Sequence, residues 1–129
     1  MIGLGLVALG GATGACLRYL LGVAWVAALG STRAYVSTAA INVAGSFAMG
    51  ALIGWLAFKG AGPATDRLRL LLATGVLGGF TTFSSFSLEA ILLVERRAYA
   101  TAAAYVGGSV AMALLGLFAG LALSRRAFA

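Results

Sequence analysis

The sequence predicts an all-α membrane protein of four transmembrane helices, with the third helix broken near the bilayer midplane. Three observations carry that prediction. Hydrophobic residues make up 62% of the 129-residue chain and charged residues only 9%, against about 25% charged in a soluble domain. The apolar residues fall into four blocks, roughly 2–28, 35–58, 68–94 and 98–123. Each is long enough to cross a hydrocarbon core of about 30 Å at about 1.5 Å per residue. Only the third block is interrupted by a polar cluster. There, GGFTTFSSFS (78–87) holds two glycines, five hydroxyl residues and three phenylalanines in ten positions. The connections are short, so residues 1–129 read as one four-helix transmembrane domain without a soluble appendage.

The first block has no basic residue ahead of it and no clean cleavage site, and it outruns the core of a signal peptide; it reads as a retained helix. Gly10, Gly14, Arg18 and Gly22 recur on it at spacing four. The glycines form a small-residue ridge on which another backbone packs closely. Arg18 has two readings, because a guanidinium inside a span costs a few kcal/mol. It is either a snorkelling side chain near the far interface or a fixed positive charge at the mouth of an anion pathway. Cys16, the lone cysteine, reads as a small buried hydrophobe.

The second block repeats the ridge with Thr38, Asn42, Ser46, Gly50 and Gly54. Asn42 is the one primary amide in the chain. It serves either as glue between helices or as an N–H donor to a passing anion. The linker KGAGPATDRLR follows, a solvated connector whose Pro63 and Asp66 are helix-start signals.

In the third block, residues 69–77 supply about 13 Å of helix and residues 82–94 about 20 Å, with the polar cluster between them. Glycine and threonine are poor helix formers. A break at this depth frees backbone groups that lipid cannot satisfy, so protein must bury it or a polar cavity must border it. In broken transporter helices such freed carbonyls hold cations. Phe80, Phe83 and Phe86 recur at spacing three. Their ring edges carry partial positive charge. Beside Thr81, Thr82, Ser84 and Ser85 they suit a small desolvated anion.

The fourth block places Thr101, Tyr105, Ser109 and Ala113 on one ridge, with Met112, Gly116 and Gly120 on another. Tyr near a helix end is usually an interface anchor, and Ser usually bonds back to its own helix.

The net charge of +6 does not mark a nucleic-acid binder, because apart from Arg18 every basic residue lies near a helix end. Lys59, Arg67, Arg69, Arg125 and Arg126 fall on one side of the membrane, and Arg33, Arg96 and Arg97 on the other. Five against three is a weak orientation bias, so the chain is expected to insert either way. With no His, Ser–His catalysis and His-based metal sites are absent, and no enzyme is expected.

Three segments resemble one family. GGFTTFSSFSLE is similar to the GG-[LF]-TTFST-[FW]-S-x-E signature of the CrcB/Fluc fluoride channels, and GGATGACLRY (10–19) and NVAGSFAMG (42–50) resemble its other two signatures. The resemblance covers essentially the whole chain. It implies passive fluoride export that relieves fluoride toxicity, through an antiparallel, dual-topology homodimer with two pores in the cell inner (plasma) membrane. It further implies a central structural Na⁺ held by the backbone carbonyls of Gly78 and Thr81 from each subunit. Carried over by motif position, the pore phenylalanines are Phe83 and Phe86, the pore amide Asn42 and the vestibule arginine Arg18. The hydroxyl track is Thr82, Ser84 and Ser85 with Tyr105 and Ser109. Ser85 stands where Thr is usual, and Ala113 and Leu117 stand where relatives can carry hydroxyls. The competing reading is a small dual-topology, proton-coupled multidrug exporter. That mechanism needs an intramembrane carboxylate. Glu89 is the one candidate, and it reads instead as a helix-pairing or vestibule group.

Overall fold

The computed structural model describes residues 1–31 and 34–128. Arg33, which the sequence groups with Arg96 and Arg97, lies outside the described residues. The elements are α1 (Ile2–Leu29), α2 (Ala34–Lys59), α3 (Pro63–Leu68), a π-helical stretch (Arg69–Leu77), α4 (Gly78–Phe80), α5 (Phe83–Glu95) and α6 (Tyr99–Phe128). α1, α2, the composite span Pro63–Glu95 and α6 are each long and apolar enough to cross a membrane. The chain is thus a multi-pass membrane protein of four spans.

The third span departs from a plain broken α-helix in two ways. Its first half is wound wide over nine residues, with five-residue hydrogen-bonded turns: the Gly78 N–H reaches back to Ala73 O. Such winding is rare and often marks functional segments. The break itself lies after the glycine pair. Gly78 is still helical, at φ −65° and ψ −37°. Thr81 (φ −80°, ψ 155°) and Thr82 (φ −148°, ψ 115°) are the extended residues. The β-branched threonines favour extended backbone, and Thr82 Oγ1 accepts from the Ser85 N–H to cap α5.

The glycines serve packing. α1 lies along the first half of the third span, and a Cβ on Gly10 would stand 2.8 Å from Gly75 Cα. One on Gly14 would stand 2.8 Å from Phe80 N. The second seam joins α2 to α6, where a Cβ on Gly54 would stand 2.7 Å from Ser124 Cβ and one on Gly120 2.8 Å from Ala51 N. Contacts advance in the same direction along both partners. α1 and the third span therefore run parallel, as do α2 and α6, as alternate crossings of a membrane require. α5 and α6 form an antiparallel hairpin around Phe86, Leu93, Ala102 and Tyr105. Lys59, Arg67, Arg69, Arg125 and Arg126 consequently share one end, where Lys59 Nζ lies 4.6 Å from the Trp55 ring centre. That is a cation–π contact suited to an interface.

Candidate functional site

The broken span is held by a side chain from its neighbour. Asn42 Nδ2 donates to Thr82 O at 3.0 Å, and the Thr82 N–H donates to Asn42 Oδ1 at 2.8 Å. One amide thereby satisfies both backbone groups of the residue that leaves the helix. This is the glue reading of Asn42, applied to a break. An amide nitrogen carries two hydrogens, so one remains for another acceptor. On the other side of the joint, Arg18 Nε donates to Gly79 O at 3.3 Å. Arg18 thus reaches the break from α1 instead of extending toward the far interface.

The backbone at the joint leaves the helical ladder, and no side chain among the described hydrogen bonds donates to Gly78 O, Phe80 O or Thr81 O. The Thr81 N–H bonds to Leu77 O and the Thr82 N–H turns to Asn42.

Thr82 separates two grooves and lines both. The smaller, about 240 Å³, runs past Asn42, Thr81, Phe83, Phe86 and Ser109. The larger, about 580 Å³, carries Arg18 and Glu89 with Thr38 and Ser85 on its wall. The sequence-predicted residues therefore divide into two sets. Asn42, Phe83, Phe86 and Ser109 gather in one groove, and Arg18 and Ser85 in the other. Thr82 Oγ1 sits within 3.1 Å of Ser85 Oγ and 3.3 Å of Ser84 Oγ, so three hydroxyls crowd the start of α5. Ser84 is exposed and lines neither groove.

The two phenylalanines differ. Phe86 is buried, with its ring centre 5.2 Å from that of Tyr105, whereas Phe83, 5.6 Å from Phe86, remains 78% exposed. Ser109 is buried and its Oγ has no hydrogen-bond partner. The i−4 bond usual for serine in a span is not made, which leaves an unspent donor at the groove wall.

Tyr105 lines neither groove. Its hydroxyl donates to Glu89 Oε2 at 2.6 Å, and Thr38 Oγ1 donates to Glu89 Oε1 at 2.8 Å. Tyr35 packs edge-on against Tyr105 at 5.4 Å. Glu89 thus joins α2, α5 and α6 and also faces the larger groove, which unites its helix-pairing and vestibule readings. Its partners were not legible in the sequence. Thr38 stands one turn before Asn42 on the polar ridge of α2, and that spacing was the available signal.

These features define a class: a four-span membrane protein whose interrupted third helix is braced by polar side chains and bordered by two mostly apolar grooves with a few polar groups in their walls. The family model described as CrcB-like protein, Camphor Resistance (CrcB), matches residues 5–121, and the chain belongs to that family. The chain is 56% identical over 124 residues to a protein of Phenylobacterium zucineum, covering 96% of each chain. It is 48% identical to one of Caulobacter vibrioides over the same share of both chains. It is 50% identical to one of Hyphomonas neptunium over the full length of both. All three relatives are named fluoride-specific ion channel FluC.

Proposed function

We propose that the chain is a fluoride-selective channel that lets the anion leave the cell passively and so relieves fluoride toxicity. The observation that carries the reading is the smaller groove, in which Asn42, Ser109 and two phenylalanines converge on the break of a span shared in sequence with relatives named for fluoride. Fluoride holds its water tightly, so a pore must replace that shell with donors. The second Asn42 N–H, the Ser109 hydroxyl and the positive ring edges of Phe83 and Phe86 supply such groups in the smaller groove, and the hydroxyls of Thr82, Ser84 and Ser85 cluster beside it at the joint. Arg18 adds positive potential from the larger groove. Tyr105 enters through Glu89, which holds α5 and α6 in register beside the groove.

The working unit is an antiparallel homodimer with two pores. Phe83 is exposed and the smaller groove is open along one side, so a second copy is needed to close it. A twofold axis through the joint makes that contact isologous and brings four carbonyls together, Gly78 O and Thr81 O from each subunit. Neutral carbonyls without a carboxylate suit a monovalent cation, here Na⁺. No cluster of His, Cys, Asp or Glu among the described residues competes for a divalent metal. The one carboxylate that the exporter reading could use, Glu89, accepts hydrogen bonds from α2 and α6 on both oxygens, as a helix-pairing group does.

Efflux from proteoliposomes, with fluoride and chloride compared side by side, tests the reading. Fast fluoride release with chloride retained is expected. Equal release of the two ions would sink it.

A further inference from the structure

The smaller groove has one hydroxyl outside the set that the resemblance assigns to the anion path. Ser46 lies one turn beyond Asn42 on α2, and its side chain lines the groove with Ser109, Val110 and Ala113 of α6. Among the described hydrogen bonds Ser46 Oγ makes none, not even to Asn42 O four residues back. Ser87 Oγ and Thr13 Oγ1 bond the carbonyl four residues earlier, at 2.9 Å, whereas Ser124 Oγ near the end of α6 is, like Ser109 Oγ, buried without a partner. Serines in spans ordinarily make that backward bond to satisfy the hydroxyl. Leaving a donor unspent inside a span costs free energy unless something polar arrives. Ser109 Oγ is buried without a partner, Ser46 is half-buried and makes none of the described hydrogen bonds, and the two, on different helices, border the same cavity.

We propose that Ser46 is a positioning and selectivity residue of the anion path: with Ser109 it forms a two-hydroxyl station beyond the Asn42–Thr82 joint. The inference rests on the channel reading above and deepens it. Ala113, in the same wall, offers no donor, so within this stretch of groove the hydroxyls of α2 and α6 are the available replacements for water. Two small donors held by packed helices favour a small, hard anion that takes short hydrogen bonds. A larger halide needs a wider ring of partners and gains less from them.

The test uses the full-length protein in proteoliposomes with fluoride and chloride as probes. Ser46→Ala removes one oxygen and keeps the packing volume. A hydrogen bond to a charged partner contributes about 1.5–3 kcal/mol, so fluoride flux should fall by about tenfold or more. Ser46→Thr, which keeps the hydroxyl, should restore most of it. Ser46→Cys, similar in shape with only a weak donor, should resemble Ser46→Ala. A structural role would not make the serine pair couple in flux. The Ser46→Ala/Ser109→Ala double variant should lose less than the product of the single losses, because both hydroxyls serve one station. Parental flux in Ser46→Ala, or equal loss in Ser46→Ala and Ser46→Thr, overturns the assignment while the channel reading stands. A wild-type protein that releases no fluoride overturns both.

Discussion

At the residue scale, Asn42 and Glu89 hold the polar architecture together. Asn42 clasps both backbone groups of Thr82, and Glu89 accepts from Thr38 and Tyr105 on two other helices. Asn42→Ala would strand both backbone groups of Thr82. Leaving partly buried groups unpaired costs about 1–3 kcal/mol. We expect a lower unfolding temperature in detergent and faster amide exchange in the peptide spanning residues 81–85. Unchanged exchange there would show that the clasp is dispensable. Asn42→Asp keeps the acceptor for the Thr82 N–H but faces Thr82 O with a second oxygen, and its charge also opposes an anion. It should lose fluoride flux more completely than it loses stability. For Glu89, a double-mutant cycle with Tyr105→Phe and Glu89→Gln should return about 1–2 kcal/mol of coupling, the upper part of the range for polar pairs between spans. Additive losses would mean that the 2.6 Å contact contributes little beyond packing.

Elements are joined here by two glycine seams, one of which holds α1 against the first half of the third span. α1 approaches the wide-wound half so closely that a side chain at Gly14 has nowhere to go. Overpacking at a tight contact costs about 1–3 kcal/mol and more when the obstacle is backbone. Gly14→Leu should therefore abolish the monodisperse peak in size-exclusion chromatography. Gly5→Ala should leave that peak intact, since nothing lies within 4 Å of a Cβ there. If both variants behave alike, the seam does not hold the fold. At the start of α5, Thr82→Val removes the hydroxyl that receives the Ser85 N–H and should cost about 1 kcal/mol, with Thr82→Ser near neutral. Thermal unfolding of the pair against the parent reads the difference.

For the whole molecule, the decisive property is how little apolar surface one chain hides. Leu56 is the one large side chain fully buried among the described residues, and Phe83, Leu88, Leu114 and Phe118 face outward. Lipid can cover most of such a surface. It cannot satisfy backbone carbonyls at the joint. A second copy and a cation can do both. We expect light scattering in detergent to give twice the chain mass of 12.9 kDa. We also expect a higher unfolding temperature in sodium than in N-methyl-D-glucamine salts, because an ion bound only by the folded dimer stabilises it by mass action. A monomer, or identical melting in the two salts, would remove the central site without touching the four-span fold.

Four spans, their alternation, the basic end and the presence of a break were all legible in the chain, because each depends on local quantities: hydrophobic length, glycine and threonine propensity, and the placement of Lys and Arg. The grouping of Asn42, Phe83, Phe86 and Ser109 was legible only through motif resemblance. Tertiary structure decided the rest. The wide winding of Arg69–Leu77 and the narrowing of the break within the Gly78–Thr82 cluster to the extended residues Thr81 and Thr82 appear only in the folded chain, where α1 lies against that segment. Which atoms Asn42, Arg18 and Glu89 hold, and which hydroxyls are left unspent, depends on contacts between residues some 16 to 61 positions apart. Composition and periodicity describe one helix at a time, whereas hydrogen bonds across a seam exist only once two helices have chosen their faces.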